Sequence, residues 1–274
     1  MNIQVKQTHD LWQQLASAPH IQRTKKPRQC GYTMVIDKGM GLQVFQDFLE
    51  TAAEYVDFIK LGFGTSALYP SHILEKKLEL ARAFDVHLLP GGTFFELAVA
   101  HHEVKGYLHS LRQLGFTAME ISDGTISLPR QKRNDAIKLA KEHGFFLFTE
   151  HGKKAAGSSI DLQQFQWNFY EDLDHGADLV IVEGRESGEN VGIYDEKGEV
   201  DRMVLTEILT LPEQKQIMWE TPQKKQQVTL IEQGGSNVNL GNIAPHDLFS
   251  LESLRRGLRS DTLLTLLAGN ETEL

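Results

Sequence analysis

The chain has 274 residues, 41% of them hydrophobic, and a formal net charge of −9 at pH 7. This length fits one barrel of about 250 residues or two small domains, and the acidic balance argues against nucleic-acid binding, because such binding needs a basic face to neutralise phosphates. Cys30 is the only cysteine, so an intramolecular disulfide and a cysteine-based zinc site are both excluded.

No uncharged run approaches the roughly 18 residues of a membrane helix, and residues 1–20 lack a basic segment followed by an apolar stretch. We therefore expect a cytoplasmic protein that acts on small molecules and has no membrane or nucleic-acid partner; a homo-oligomer is compatible with the sequence. Residues 1–28 turn basic in KKPR (25–28). They are expected to form a short arm or helix against the main domain, or else a poorly ordered terminus.

Eight apolar runs are typical of strands, and helical patterns alternate with them. The predicted strands are 33–37, 56–61, 86–89, 117–122, 145–149, 179–183, 216–220 and 237–240, and the predicted helices are 43–53, 71–83, 101–113, 130–143, 160–174, 202–209, 223–232 and 246–257. Eight strand–helix units predict an α/β protein with a single (β/α)8 TIM-barrel domain. Its expected bounds are 29–262, between the N-terminal arm (1–28) and a C-terminal tail (263–274).

Charged residues stand at or just after the end of seven of the eight predicted strands, although a buried parallel strand should be nearly all apolar. The eighth run, VNLGN (238–242), ends in an amide. The carboxyl ends of barrel strands form the face that carries the chemistry in this fold, so the pattern indicates an enzyme. The carboxylates at these positions are Asp37, Glu96, Glu120, Asp123, Glu150, Glu183 and Glu220.

Several carboxylates in one barrel mouth would repel each other unless cations neutralise them. Hard oxygen ligands of this kind suit magnesium better than zinc. Because alternate strand residues point inward and outward, we expect about three of these carboxylates to share a site and the rest to form ion pairs.

Three glycine-rich turns are candidates for anion binding: GFGTS (62–66), GGTFFE (91–96) and EGRESG (183–188). GFGTS (62–66) follows Lys60 and lacks the features of a P-loop or a dinucleotide turn, but its small residues allow backbone amides to approach an anion; a tight turn is the alternative. EGRESG (183–188) adds Arg185, whose guanidinium can hold two oxygens of a phosphate or sulfonate. Arg185 could equally be a structural partner of a nearby glutamate. The polar loop 183–200 is expected to be a mobile cover over the site.

TEHGKK (149–154) places Lys153 and Lys154 directly after the fifth strand. A lysine crowded by other cations in a closed pocket has a lowered pKa and can transfer protons. A catalytic lysine is therefore expected here, and two exposed loop lysines are the alternative.

Eight sequence blocks occur in one order between about residue 30 and residue 262. They are VIDKG (35–39), DFIKLGFGTSAL (57–68), PGGTFFELA (90–98), GFTAMEISDGTISL (115–128), FTEHGKK (148–154), VEGRESG (182–188), ETPQKKQQ (220–227) and SLESLRRGLR (250–259). Together they resemble the phosphosulfolactate synthase family. The resemblance implies a magnesium-dependent barrel, a lyase that adds sulfite to phosphoenolpyruvate and forms (2R)-2-O-phospho-3-sulfolactate on a route to coenzyme M or to sulfolactate.

The resemblance also implies roles for residues. Lys154, the second lysine of TEHGKK, matches the proton donor of the family. The substrate-binding candidates are Lys60, Lys153, Arg185, Ser187 and Gly188, and the metal-binding candidates are Glu120, Asp123, Glu150 and Glu183.

This chain departs from the family pattern at two places, and neither removes a proposed catalytic group. His151 stands where the archaeal pattern has valine, and Cys30 replaces an arginine that often precedes the first strand. A plant heat-stress-associated protein shares the same motifs, so one alternative is a barrel that acts in stress tolerance without this reaction. The other alternative is a lysine Schiff-base aldolase, since a strand-end lysine in a barrel is the usual arrangement for imine chemistry.

Overall fold

The computed structural model describes residues 11, 12, 14–17, 21–155 and 157–268. The strands are β1 (Thr33–Asp37), β2 (Phe58–Leu61), β3 (His87–Pro90), β4 (Ala118–Ile121), β5 (Phe146–His151), β6 (Ser158–Ser159), β7 (Leu179–Val182), β8 (Val191–Gly192), β9 (Ile217–Glu220) and β10 (Asn239–Ile243). The α-helices are α1 (Leu42–Ala52), α2 (Ser71–Ala83), α3 (Gly92–Ala100), α4 (Val104–Leu114), α5 (Arg130–Glu142), α6 (Leu162–Asp174), α7 (Arg202–Leu209), α8 (Lys224–Gly234), α9 (Leu248–Arg255) and α10 (Ser260–Ala268).

Eight strands form one parallel sheet in the order β3-β2-β1-β10-β9-β7-β5-β4. The two outer strands, β3 and β4, approach each other: His87 Nδ1 lies 2.8 Å from Thr117 Oγ1, and Gly92 N donates to Glu120 Oε1 over 2.9 Å. The sheet therefore nearly closes into a barrel surrounded by helices, which confirms the predicted fold. The short strands β6 and β8 pair separately above it.

Successive side chains of each strand point to opposite faces of the sheet, so the strands contribute to two separate apolar layers. One set of strand side chains packs against the helices in the large outer core. The other set fills the barrel interior and consists of Met34, Phe58, Leu89, Ala118, Phe148, Leu179, Ile181 and Met218. On five of these strands, the residue two positions after the interior apolar residue also faces inward, and its side chain is charged. The apolar plug thus forms the floor of a polar layer at the carboxyl end of the barrel.

The predicted strands agree with the observed ones within a few residues, and the third crossover differs. Between β3 and β4 the structure has two helices, α3 and α4, whereas one helix (101–113) was predicted; α4 corresponds to it and α3 precedes it. The sequence GGTFFE looks like a glycine-rich loop, but FFELAVA is a short apolar segment that packs as helix α3, with Phe95 and Ala98 buried. Its Glu96 therefore belongs to a helix and not to a strand end.

Residues 21–28 lie against the amino-terminal end of the barrel. Arg23 pairs with Glu252 (Nε to Oε2, 3.1 Å) and Arg28 with Asp57 (2.7 Å). The rest of the predicted arm is described only at 11, 12 and 14–17, and 269–274 of the predicted tail also lie outside the described residues. None of the described helices combines the length and the apolar character needed to cross a membrane.

Candidate active site

A polar cavity of about 320 Å³ opens at the carboxyl end of the barrel strands. Five of its charged lining residues continue the inward-facing rows of the barrel interior: Lys60 follows Phe58, Glu120 follows Ala118, Glu150 follows Phe148, Glu183 follows Ile181 and Glu220 follows Met218. The period of two in a strand brings these side chains together, because each lies one layer above an apolar residue of the same row.

Lys60 is buried at the centre of this layer. Its Nζ lies 2.9 Å from Glu120 Oε2 and 2.7 Å from Glu220 Oε1. Burial alone would lower the pKa of the ammonium group, but the surrounding glutamates outweigh burial and hold this pKa well above the ordinary lysine value. Burial raises the pKa of Glu120 to about 7 against the opposing charge of Lys60. Lys60 is thus a fixed cation at the cavity floor.

Three buried carboxylates form a group suited to a cation. One oxygen from each of Glu150, Glu183 and Glu220 lies within 4.8 Å of the other two. Glu183 Oε2 is buried and has no hydrogen-bond partner among the described residues. Burial, with the charges of Glu150 and Glu220, raises the pKa of Glu183 to about 11. The crowding of three carboxyl groups and the oxygen without a hydrogen bond both fit a hard divalent cation.

Lys154 enters the same cavity from the loop after β5. Its Nζ lies 3.0 Å from Glu150 Oε1, 3.7 Å from Glu183 Oε2 and 3.9 Å from Glu96 Oε1. Gly124 leaves room for the side chain, since a Cβ at that position would lie 2.9 Å from Lys154 Cγ. The residue predicted as the proton donor therefore faces the cluster of carboxylates.

The sequence predicted that a neighbouring cation crowds Lys154 and lowers its pKa, and this prediction was wrong. Lys153 does not crowd it: Lys153 Nζ points away and donates to Asp123 O (2.6 Å) and Ile126 O (3.1 Å). Burial would lower the pKa of Lys154, but Glu150 and other carboxylates outweigh burial and raise this pKa above the ordinary lysine value. Lys154 is accordingly held in its protonated form.

Ser122 and Glu96 support the lysine from the side of β4 and α3. Ser122 Oγ lies 2.7 Å from a carboxylate oxygen of both Glu96 and Glu150, and 3.4 Å from Lys154 Nζ. Glu96 also accepts from Thr125 N over 3.1 Å. This network fixes the loop after β4 against the loop after β5.

The loop after β7 contributes Arg185 to the cavity lining, with an exposed side chain. Ser187 and Gly188 do not line the cavity: Ser187 is exposed, and Gly188 is buried against Gln226, whose Nε2 donates to Gly188 O over 2.7 Å. Tyr194 OH donates to Glu220 O over 2.6 Å. The loop that we expected to be a mobile cover is thus tied to the barrel at several points.

Asp123 and Lys153 do not line the cavity and lie on the side of β5 that faces away from it. Asp123 pairs with Arg133 (3.0 Å), which also pairs with Asp172 (2.6 Å) and donates to Glu150 O (3.0 Å). Two predicted site residues are therefore separate from the carboxylate group that contains Glu150 and Glu183. Of the predicted residues, the structure brings together Lys60, Glu120, Glu150, Lys154, Glu183 and Arg185.

Two lining residues come from glycine-rich turns that the sequence singled out for anion binding: Phe63 from GFGTS and Gly92 from GGTFFE. A Cβ at Gly92 would lie 2.4 Å from Glu120 Oε1, and the N–H of Gly92 donates to that oxygen. Sequence reasoning missed Asn242, which also lines the cavity. The only signal for Asn242 was that the eighth apolar run ends in an amide.

The model of the (2R)-phospho-3-sulfolactate synthase (ComA) family matches residues 21–261, the whole barrel with the site just described. The chain belongs to this family. Its relatives include the phosphosulfolactate synthase of Methanothermobacter thermautotrophicus, 42% identical over 88% of this chain and 94% of the relative, and that of Bacillus subtilis, 37% identical over 88% and 95%. Protein HEAT-STRESS-ASSOCIATED 32 of Arabidopsis thaliana is 22% identical over 85% of this chain and 88% of that protein.

Solved structures support the fold alone. The 3-hexulose-6-phosphate synthase from Salmonella typhimurium superposes with a TM-score of 0.52 at 15% identity and covers 86% of this chain and 99% of its own. The YdjI aldolase from Escherichia coli K12 gives a TM-score of 0.53 at 11% identity and covers 94% of this chain and 93% of its own. At these identities the shared barrel carries no conclusion about the reaction.

Proposed function

We propose that this protein adds sulfite to phosphoenolpyruvate and forms (2R)-2-O-phospho-3-sulfolactate, with a bound Mg²⁺. The observation that carries the proposal is the position of Lys154 inside the carboxylate-lined barrel mouth, 3.0 Å from Glu150. Membership of the family and relatives that are phosphosulfolactate synthases support the choice of substrates.

The charge balance of the mouth supports a divalent cation. Two lysines, Lys60 and Lys154, contact five buried or nearly buried carboxylates, which are Glu96, Glu120, Glu150, Glu183 and Glu220. Two anionic substrates would meet net negative charge there, which opposes their binding. A divalent cation held by Glu150, Glu183 and Glu220 would offset most of this negative charge and, when bound, would stabilise negative charge on the substrate carboxylate.

The reaction forms one bond to sulfur and one to hydrogen. The sulfur of sulfite bonds to the methylene carbon of phosphoenolpyruvate, and the π electron pair of the C2=C3 bond moves to C2 and into the adjacent carboxylate. C2 then takes one proton as an N–H bond of the donor breaks, and within the substrates only the C2=C3 π bond is lost. Lys154 donates this proton from Nζ, and its raised pKa ensures that it carries the proton when the substrates bind.

The remaining cations orient the anions. Lys60 is fixed between Glu120 and Glu220 at the cavity floor, so it acts as a point charge that favours an anionic group above it. Arg185 lies at the entrance, where a guanidinium can bind a phosphate with two hydrogen bonds. Holding both reactants in one cavity replaces a bimolecular encounter by a step within the complex.

The same geometry argues against a Schiff-base aldolase. Imine formation requires a neutral amine, whereas Lys154 pairs with carboxylates that raise its pKa. The test is to incubate the protein with phosphoenolpyruvate, sulfite and Mg²⁺ and to identify the product by ³¹P NMR and mass spectrometry. In parallel, borohydride is added with pyruvate-like substrates; a covalent adduct at Lys154 without a sulfonate product would favour the aldolase.

A further inference from the structure

Asn242 interrupts the regular pairing of the last barrel strand. Thr33 of β1 pairs with Leu240 of β10, and Val35 pairs with Ile243. The strand β10 therefore advances by three residues where β1 advances by two. The extra residue is a β-bulge, and Asn242 within it has a left-handed backbone with φ 56°. Bulges at barrel rims redirect a side chain, and they do so next to active sites.

The redirected side chain reaches the loop after β7. Asn242 Nδ2 donates to the carbonyl oxygen of Arg185 over 3.1 Å. Arg185 is itself left-handed, with φ 58°, and its N–H donates to Glu183 Oε1 over 2.6 Å. Both peptide groups next to the Arg185 α-carbon are thus held by side chains that line the cavity.

Backbone strain is concentrated at this cavity. Among the described residues, six non-glycine residues have a left-handed backbone, and Phe63, Arg185 and Asn242 line the site. Such conformations persist only where neighbouring contacts hold them, and they gather at functional sites. Asn242 Oδ1 is buried and has no hydrogen-bond partner in the described part of the chain. The amide is therefore kept here although half of its hydrogen-bonding capacity is unused.

We propose that Asn242 is a positioning residue that fixes the left-handed Arg185 turn, so that the exposed guanidinium stays over the cavity and binds an anionic oxygen group of the substrate. Because the Arg185 side chain is exposed, its direction depends on the backbone that carries it. The proposal rests on the proposed function only for the identity of the anion, phosphoenolpyruvate.

The conformational part is tested by limited trypsin digestion of Asn242→Gly. Glycine accepts the left-handed backbone, so this variant loses the amide without added strain. Losing one hydrogen bond should accelerate cleavage after Arg185 by about five- to tenfold, and mass spectrometry measures the rate of this cleavage. The control is Asn237→Gly, just before the other end of β10, whose side chain accepts from Thr24 N and donates to Gln22 O. Equal cleavage after Arg185 in Asn242→Gly and the parent would overturn the proposal.

The functional part is tested by kinetics of Asn242→Gly, Arg185→Ala and the double variant. We expect Asn242→Gly to raise KM for phosphoenolpyruvate about five- to tenfold with little change in kcat, and to add nothing in the Arg185→Ala background. A further rise of KM in the double variant would contradict action through Arg185. If the parent forms no product from phosphoenolpyruvate and sulfite, the proposed function fails, whereas the trypsin result still decides the positioning role.

Discussion

Lys154 Nζ lies 3.0 Å from Glu150 Oε1, so the lysine after β5 is paired with a carboxylate of the strand that precedes it. The neighbouring Lys153 turns away and donates to backbone carbonyl groups outside the cavity. The two adjacent lysines therefore have different environments, and only Lys154 is placed to exchange a proton with a ligand in the barrel mouth.

Activity should require a divalent hard cation held by Glu150, Glu183 and Glu220. Chelation should abolish turnover, and Glu183→Gln should weaken Mg²⁺ binding at least about tenfold in a calorimetric titration, because a neutral amide replaces one of three charged ligands. The matched control is Glu186→Gln, an exposed residue at the same mouth. Full turnover in excess chelator after dialysis would show that no metal takes part.

Arg185→Lys should raise KM for phosphoenolpyruvate by about tenfold, because lysine keeps the charge but loses the two-pronged hydrogen bonding of a guanidinium. Steady-state kinetics measure this, with the exposed Arg202→Lys as the control. If KM stays at the parent value, Arg185 is a structural residue of the loop.

Gly124→Ala should reduce turnover while the protein remains folded. The added Cβ would lie 2.9 Å from Lys154 Cγ and 3.2 Å from Gly152 O, so Lys154 has to move from its position beside Glu150. Thermal melting should change little by comparison with the loss of rate. Gly41→Ala is the control, because a Cβ there meets no atom within 4 Å. Parent-like turnover of Gly124→Ala would mean that the observed lysine position is not needed.

Asp172 should stabilise the fold above about pH 4. Burial would raise the pKa of this carboxyl, but Arg133 and Arg130 outweigh burial and lower it. Since the folded-state pKa lies below the unfolded one, the stabilisation is present above the unfolded pKa and is lost as the pH falls through the folded pKa. Asp172→Asn leaves Arg133 without its buried partner and should reduce the free energy of unfolding by about 3–5 kcal/mol at pH 7.

Denaturant unfolding at pH 7 and at pH 3 measures this effect, with the exposed Asp174→Asn on the same helix as the control. The difference between Asp172→Asn and the parent should shrink at pH 3. A difference that does not depend on pH would mean that the ionised carboxylate is not the stabilising form.

The sequence was sufficient to predict the barrel and a polar face at its carboxyl end, but it predicted about three carboxylates in one site, whereas five lie around Lys60 and Lys154. Strand residues two apart share a face, so the polar ends of apolar runs had to converge. The direction of Lys153 and Lys154 was not predictable, because loop backbone has no such period. Glu96 was predicted to stand at a strand end, because the short apolar helix that carries it looks in sequence like a glycine-rich loop after a strand. Asn242 was missed because its position depends on a bulge in the pairing of β10 with β1.

The turnover rate of Lys154→Ala beside Lys153→Ala tests the central claim most directly. Both variants should remain folded by circular dichroism, and the product is phosphosulfolactate formed from phosphoenolpyruvate and sulfite. Lys154→Ala should lower kcat by about 10²–10⁴-fold, as expected for loss of a proton donor, with substrate binding comparatively intact. Lys153→Ala should keep most of the parent kcat, because its side chain lies outside the cavity. Loss of turnover in Lys153→Ala alone would contradict the account.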